Sequence, residues 1–144
     1  MTNPITVSRS FLWSKLSGDS TLMTLVDNRI FPTRPPQGSH FPLVYFEHIL
    51  TTTLSSINGL YLPFAKTLWR IHVVGDRDAN DIDIDPIVTE VITALNSNRF
   101  TILGDGNQAS GAIDPSAPIP LPYDIEADQY PRNIVPYWIW VSFN

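Results

Sequence analysis

The stretch that decides the fold is KTLWRIHVVGDRDANDIDIDPIVTEVITAL, residues 66–95. Its first part alternates between apolar and more polar side chains, which predicts a strand whose apolar face carries Trp69, Ile71 and Val73. After Gly75, apolar residues recur at the three-and-four spacing of a helix with one broad apolar stripe: Ile84, Ile87, Val88, Val91, Ile92 and Leu95. The centre of the chain is therefore predicted to be a strand, a turn and a helix that packs on a sheet.

Pro86 and the aspartates around it predict where this helix begins. Proline has no amide hydrogen, so Pro86 is expected in the first turn, where no helical hydrogen bond is lost. Asp83 or Asp85 is then the expected cap, because a carboxylate accepts from a free N–H and suits the positive end of the helix dipole.

Two short helices are predicted at the start of the chain. The first spans residues 7–16, ends at Gly18 and buries Phe11, Leu12 and Leu16. The second is capped by Asp19 or Ser20 and carries Leu22, Leu25 and Val26. The proline-rich residues 32–42 are expected to form a loop. A strand follows over residues 43–50, extended by threonines to residue 53, with its two faces formed by Val44, Phe46 and His48 and by Leu43, Tyr45, Glu47 and Ile49.

The segment between the first two strands is unusually apolar for a hairpin tip. Asn58-Gly59 is a turn dipeptide, so the flanking strands are predicted to pair antiparallel. The apolar side chains of this segment are Leu54, Ile57, Leu60, Tyr61, Leu62 and Phe64. Either the tip folds back on the core or it contacts another chain, and we favour the second reading.

The last part of the chain is predicted to end in a strand with two apolar faces. Residues 100–102 read as a brief strand, 104–122 as a long irregular loop, 123–126 as a short strand and 128–132 as a turn. Residues 134–143 alternate, with Trp138 and Trp140 on one face and Tyr137, Ile139, Val141 and Phe143 on the other. A sheet covered by helices on one side should be polar on the other, so the second face needs a cover from the chain's own loops or from a neighbouring subunit. We expect Trp138 and Trp140 at a subunit interface.

These segments predict a single domain, 1–144, of the α+β class: a mostly antiparallel sheet with helices packed on one face. The chain has 144 residues, 43% of them hydrophobic, and a formal net charge of -5, which argues against sequence-independent binding to nucleic acid. It has no cysteine, which excludes disulfides and thiolate chemistry. No apolar run is as long as a membrane span, and no signal peptide is expected.

The acidic turn before the central helix suggests a calcium loop, but the pattern does not fit. Aligned from Asp76, the glycine required at the sixth position is replaced by Asp81, and the glutamate required at the twelfth is replaced by Ile87. We therefore expect a solvated, helix-capping turn or an acidic surface; its carboxylates are Asp76, Asp78, Asp81, Asp83 and Asp85.

No catalytic or cofactor-binding pattern is found. His48 and His72 could face each other across the hairpin, but no third metal ligand sits at suitable spacing. The G-x-S-x-G elbow and the P-loop lysine are both missing, although a Ser-His-Asp triad cannot be judged from sequence order alone. We expect no enzyme activity, no cofactor and no metal. Four arginines are scattered along the chain and are predicted to contact nucleic acid or to form ion pairs at an interface: Arg29, Arg34, Arg70 and Arg132. The negative net charge of the chain favours ion pairs at an interface, and Arg34 is the candidate interface residue.

The order of the segments resembles the tail-completion, or tail-terminator, family of long-tailed bacteriophages. The block RIFPTRPPQG at residues 29–38, followed by FPLVYF at 41–46, carries most of the resemblance. The strand LWRIHVVGD with its helix ending in VITAL is the second part, and YDIEADQYPRN before the last strand is the third.

The resemblance implies a ring, expected to be a hexamer, that caps the tail tube, stops its polymerisation and offers a surface to the head connector. The protein would then be part of the virion tail or neck, assembled in the host cytoplasm, and DNA would pass through its lumen without specific binding. The alternatives are another neck or connector ring, or a small ligand-binding or hydrolytic α+β domain. In a ring, the expected interface residues are Leu60, Tyr61, Phe64, Trp138, Trp140 and Arg34, and the expected lumen or acidic surface is Asp76, Asp78 and Asp81.

Overall fold

A computed structural model describes residues 3–55, 61–76, 81–96, 100–102, 107–121 and 130–142. Their elements, in chain order, are α1 (Pro4–Ser17), α2 (Ser20–Leu25), β1 (Ile30–Phe31), β2 (Leu43–Ser55), β3 (Tyr61–Val74), α3 (Asp81–Asn96), β4 (Phe100–Ile102), β5 (Gln108–Ile113), β6 (Ile119–Leu121) and β7 (Arg132–Ser142). In this part of the chain, no helix has the length and apolar character needed to cross a membrane.

The described strands form one sheet in the order β1-β2-β3-β7-β5-β4, and β6 pairs with the first residues of β7 beside β5. Every pairing is antiparallel except that of β1 with β2, which is parallel. The long β2–β3 hairpin and β7 make the centre of the sheet. The predicted α+β class, with a mostly antiparallel sheet and helices on one face, is confirmed.

The core lies between the helices and one face of this sheet. On β3 the predicted alternation is confirmed, because Trp69, Ile71 and Val73 are fully buried. The helix-facing residues of β7 are buried in the same way, and the helices meet them with Phe11, Leu12, Leu16, Val91 and Leu95. Two polar groups enter this core as a pair, since the Ser8 and Thr67 hydroxyls lie 2.8 Å apart.

The two N-terminal helices form as predicted, except that α1 begins at Pro4, three residues before the predicted start. The Leu22 amide donates to Asp19 Oδ1 at 2.9 Å, so Asp19 is the cap of α2. Leu22 and Val26 are buried, and Leu25 lies on α2 as predicted but is 38% exposed. Leu22 and Val26, four residues apart, already occupy the buried side of this short helix, and Leu25 lies beside it.

The start of α3 differs from the prediction. The helix begins at Asp81, so the exposed Asp83 and Asp85 lie inside it instead of capping it, and Pro86 falls in the second turn. The missing amide of Pro86 leaves one carbonyl of the first turn without its helical donor. The earlier start brings Ile84 into the core, where it is 1% exposed, and this burial offsets the lost hydrogen bond.

The predicted irregular loop over residues 104–122 is also wrong in part. It contains β5, which lies between β4 and β7, and β6. The sequence pattern of β5 does not predict a strand, because its residues are mostly small or polar. These residues adopt a strand because they pair with β7. Gly111 is required there, since a Cβ at this position would collide with the Tyr137 ring.

Three predicted features fall partly or wholly outside the described residues: the turn of the β2–β3 hairpin, the strand at 123–126 and the first two residues of the turn at 128–132. The extension of β2 through its threonines is confirmed. A bulge between His48 and Leu50 shifts the register, so that Leu50 lies opposite Leu68 on the face turned away from the helices.

Candidate assembly surface

The face of the sheet turned away from the helices carries most of the predicted interface residues that the structure describes. Across the strands, Leu68 lies between Leu50 and Trp138, and Lys66 lies between Thr52 and Trp140. Phe64 follows one step further along β3. We call this end of the face the outer patch, defined as Leu50, Phe64, Lys66, Leu68, Trp138 and Trp140.

The outer patch exposes large apolar side chains. Phe64 is 45% exposed, Trp140 41% and Leu50 40%. Beside Trp140, between β3 and β5, lies a cavity of about 320 Å³, lined mostly by apolar atoms and including Phe64 and Ala109. A cluster of exposed apolar groups with an adjoining hollow is typical of a surface that another chain covers.

Lys66 gives the outer patch a fixed positive charge. Its ammonium lies 4.1 Å from the centroid of the Trp138 ring and 5.2 Å from that of Trp140. Both distances are within the range of cation–π attraction, so the two indoles hold the lysine over the sheet. A carboxylate of a covering chain would pair with this ammonium, which the two indoles already hold in place.

Trp138 is partly covered by its own chain. Its Nε1 donates to Asp114 Oδ2 at 3.0 Å, and the same carboxylate accepts from the backbone and side chain of Ser116. These hydrogen bonds, those from Ser116 first, hold the pKa of Asp114 below its usual range. The turn after β5 therefore supplies part of the cover that the second face of β7 needs, whereas Trp140 remains exposed.

The structure separates the other predicted residues from this patch. Leu60 and Asp78 lie outside the described residues, and the side chains of Tyr61 and Asp81 are not described. Asp76 is exposed just after β3. Because β3 spans 13 steps from Tyr61 to Val74, its two ends are roughly 43 Å apart at ~3.3 Å per residue. Asp76 and the outer patch therefore lie toward opposite ends of β3.

Arg34 belongs to a second surface, at the edge of β2. We call it the edge groove: a cavity of about 660 Å³ whose basic residues are Arg9, Arg34, Arg132, His48 and His72. Of the described residues that line it, Glu47 is the one carboxylate, and Tyr45, Phe41 and Tyr130 form part of its wall. This groove could not be predicted from the sequence, because its residues come from α1, β2, β3, the proline-rich loop and β7.

His72 is the most buried charged or titratable group of the edge groove. Its ring stacks on Tyr45 at 4.4 Å, and its Nε2 lies 3.4 Å from Glu47 Oε1. Burial lowers the pKa of His72, its hydrogen bond to the Glu47 carboxylate opposes this shift, and Arg132 adds to it. The imidazole is thus held toward its neutral form.

His48 lies on the opposite face of the hairpin, so the prediction that the two histidines could face each other is wrong. The ring of His48 meets the edge of Trp69 on the helix side at 5.3 Å. The reason is the register, which pairs His48 with Trp69 and Tyr45 with His72. Among the described residues, no group of three or more histidines and carboxylates is placed to hold a metal ion.

One imidazole–hydroxyl pair has the geometry of a nucleophile and its base. His48 Nε2 and Thr51 Oγ1 are 2.7 Å apart. Burial lowers the pKa of His48, a hydrogen bond with the Leu50 backbone opposes this shift, and the nearby guanidinium of Arg9 adds to it. A catalytic base is normally supported by a carboxylate, which raises its basicity, so this pair is arranged against general-base chemistry.

Comparison with known proteins adds no relative, since no model of a known protein family and no curated protein matches the chain. We therefore argue the function from the outer patch, the edge groove and the resemblance of the sequence.

Proposed function

We propose that the protein is a structural component of a phage virion that assembles with copies of itself into a ring. The ring caps the tail tube, terminates its polymerisation and connects it to the head or neck. The resemblance supplies the tail tube and the head connector as partners, and the surface of the chain supports the association.

The observation that carries this proposal is the outer patch. Three side chains that would normally be buried, Leu50, Phe64 and Trp140, are each at least 40% exposed on neighbouring strands. Their exposure costs free energy in water, which is regained when a second chain covers them. A second copy of the chain is available to cover these side chains at the concentration of the protein itself.

A ring requires that the outer patch meets a different surface of the next copy. Such a head-to-tail contact closes into a ring when the rotation between neighbours divides a full turn, whereas a patch that meets itself gives only a dimer. The sheet also ends in open edges among the described strands, at β4 and at β2 beyond its contact with β1. The resemblance favours six subunits.

The acidic surface has a role in this proposal. A lumen lined with carboxylates repels phosphates and lets DNA pass without binding. We assign this role to the acidic turn, with Asp76, Asp78 and Asp81, because the outer patch at the other end of β3 is taken up by subunit contacts. The net charge of -5 agrees with this assignment.

Two alternatives have a specific basis. Another neck or connector ring would use the same outer patch, with different partners along the tail axis. A ligand-binding domain is favoured by the edge groove, whose basic lining could hold an anion. Hydrolysis is disfavoured, because burial first and Arg9 after it lower the pKa of His48 beside Thr51.

Light scattering of the purified chain, alone and mixed with tail tubes, tests the proposal. We expect a mass near six times 16.2 kDa for the free protein or, if the tube templates assembly, rings of that mass bound to tube ends. A protein that stays at 16.2 kDa at every concentration and does not bind tubes contradicts the ring.

A further inference from the structure

β2 pairs with β1 only over its first residues. Beyond them, this edge of β2 has no neighbouring strand among the described residues. β1 contributes only two pairs, Ile30 with Val44 and Phe31 with Tyr45. The Val44 amide donates to the Arg29 carbonyl at 3.0 Å, which shows that it points to this edge. Because a strand alternates with a period of two, the amides of Phe46 and His48 point to the same side. The parallel pairing of Phe31 with Tyr45 uses the Phe46 amide, so the open edge begins with the amide of His48. The backbone groups of this open edge can pair with an added strand.

The edge groove lies along this open edge. Phe46, Glu47 and His48 form its floor, and β1 and the proline-rich loop close one end of it with Pro32 and Arg34. The groove reaches both faces of the sheet, since Arg9 lies over the Trp69 ring on the helix side at 5.6 Å and His72 lies on the other side. An extended chain placed here would direct alternate side chains to the two faces.

The charges around the groove select an acidic occupant. Among the described residues, three guanidinium groups line the groove beside one carboxylate, although the whole chain carries a net charge of -5. Basic side chains are thus concentrated in one place on an acidic protein. Arginine is well suited to carboxylates, because its fork of donors can bind both oxygens.

Two buried nitrogen atoms of the groove lack a protein partner. Within the described part of the chain, Arg9 Nε and His72 Nδ1 are enclosed and make no hydrogen bond. The His72 side chain is only 7% exposed. A buried polar atom of this kind costs free energy unless something binds it, and both atoms belong to residues that line the groove.

From these observations we propose that the edge groove binds an extended acidic segment of another polypeptide, which adds a strand to β2 beyond the end of β1. The backbone of the segment pairs with the open edge, and its carboxylates bind the arginines on the two sides of the sheet. This site is distinct from the outer patch and does not depend on the proposed ring.

Binding of a designed peptide tests this inference. The probe is a fluorescent, terminally blocked octapeptide in which aspartate alternates with valine, and its anisotropy is measured with the full chain at low salt. Three further probes are the same peptide with asparagine for aspartate, the same peptide with alternate amides methylated, and a single-stranded oligothymidylate. Inorganic phosphate is used as a competitor.

We expect the acidic peptide to bind, and its affinity to fall by about tenfold in Arg34→Gln and in Arg132→Gln, since each removes one charged hydrogen-bond donor. Arg70→Gln is the matched control: it removes the same charge from the exposed surface of β3 but does not line the groove. The asparagine and N-methylated peptides are expected to bind at least about tenfold more weakly. Arg34 lies in an exposed loop, so its variant remains informative if Arg132→Gln does not fold.

Other outcomes overturn the inference in distinguishable ways. Equal binding of the N-methylated peptide excludes strand addition, and complete competition by phosphate at the peptide's own concentration indicates a site for a free anion. Arginine-dependent binding of the oligothymidylate without binding of the peptide assigns the groove to nucleic acid. If no probe binds, or if Arg70→Gln loses as much affinity for the acidic peptide as the groove variants do, the groove is not a binding site for such a segment.

Discussion

Truncation of Trp140 to alanine should weaken self-association by more than its effect on the stability of the subunit explains. Trp140 is 41% exposed on the outer patch. A tryptophan presents up to about 250 Å² of surface, so about 100 Å² remains to be covered by a neighbouring chain. At ~25 cal/mol per Å², covering it is worth ~2.5 kcal/mol for each contact between subunits.

This free energy sets the expected size of the effect. A loss of ~2.5 kcal/mol weakens each contact by roughly 60-fold, since 1.4 kcal/mol corresponds to a factor of ten. The subunit itself also loses stability, because about 150 Å² of Trp140 already packs on its own chain, including Lys66, and this burial is worth up to ~4 kcal/mol. Association is therefore compared only under conditions in which the variant is folded.

Sedimentation velocity over a range of concentrations measures the association, and thermal unfolding measures the stability. Trp13→Ala is the matched control, because Trp13 is also 41% exposed but lies on α1, on the helix side. We expect Trp140→Ala to shift the assembly midpoint by tens of fold and Trp13→Ala to leave it in place. Equal shifts in the two variants, or no shift in either, would refute the reasoning from the outer patch.

Three further changes test individual parts of the structure. Gly111→Ala should lower the free energy of unfolding by about 3 kcal/mol, because its methyl group collides with the buried Tyr137 ring, and calorimetry should show a melting temperature roughly 6–12 °C lower. Burial lowers the pKa of His72, so the unfolded chain takes up a proton first as pH falls below about 6.5, and the free energy of unfolding decreases until the folded imidazole also protonates. In urea titrations at a series of pH values, His72→Gln should flatten this decrease. An unchanged dependence on pH would exclude His72 as its source. Asp114→Asn should loosen the turn that covers Trp138 and so increase acrylamide quenching of tryptophan fluorescence at neutral pH. Quenching of the wild type should rise to that of the variant once acid protonates the carboxylate below its lowered pKa. Equal quenching of the two proteins at neutral pH would contradict this cover.

The elements of the core were predictable where a periodic pattern is strong. The alternation around Trp69 and the helical spacing from Ile84 to Leu95 each fixed an element and its buried side. Boundaries were less predictable, since the start of α3 depends on packing of Ile84 against the rest of the core, which outweighs the preference of Pro86 for the first turn.

Strands that depend on a distant partner were not predictable. β5 consists of small and polar residues, and its strand structure comes from its position between β4 and β7. The same reason explains why the cation–π contacts of Lys66 were missed, because the register that places it between two tryptophans joins segments more than 70 residues apart.

The candidate surfaces were predictable to different degrees. Trp140 and Phe64 were identified from the surplus of apolar residues on β7 and at the hairpin, and this required no knowledge of the pairing. The edge groove was not identified, because its residues lie on five separate segments and none of them forms a local motif. Arg34 was predicted as an interface residue, but its position in this groove followed only from the structure.

The length of tail tubes grown in the presence of the purified chain tests the central claim most directly. When tube protein polymerises in solution and the chain is added at a fixed time, electron micrographs should show tubes that stop growing at that length and carry a ring at one end. Tubes that continue to lengthen at the same rate, with bare ends and the chain left unassembled, would contradict the proposal that this protein terminates the tail.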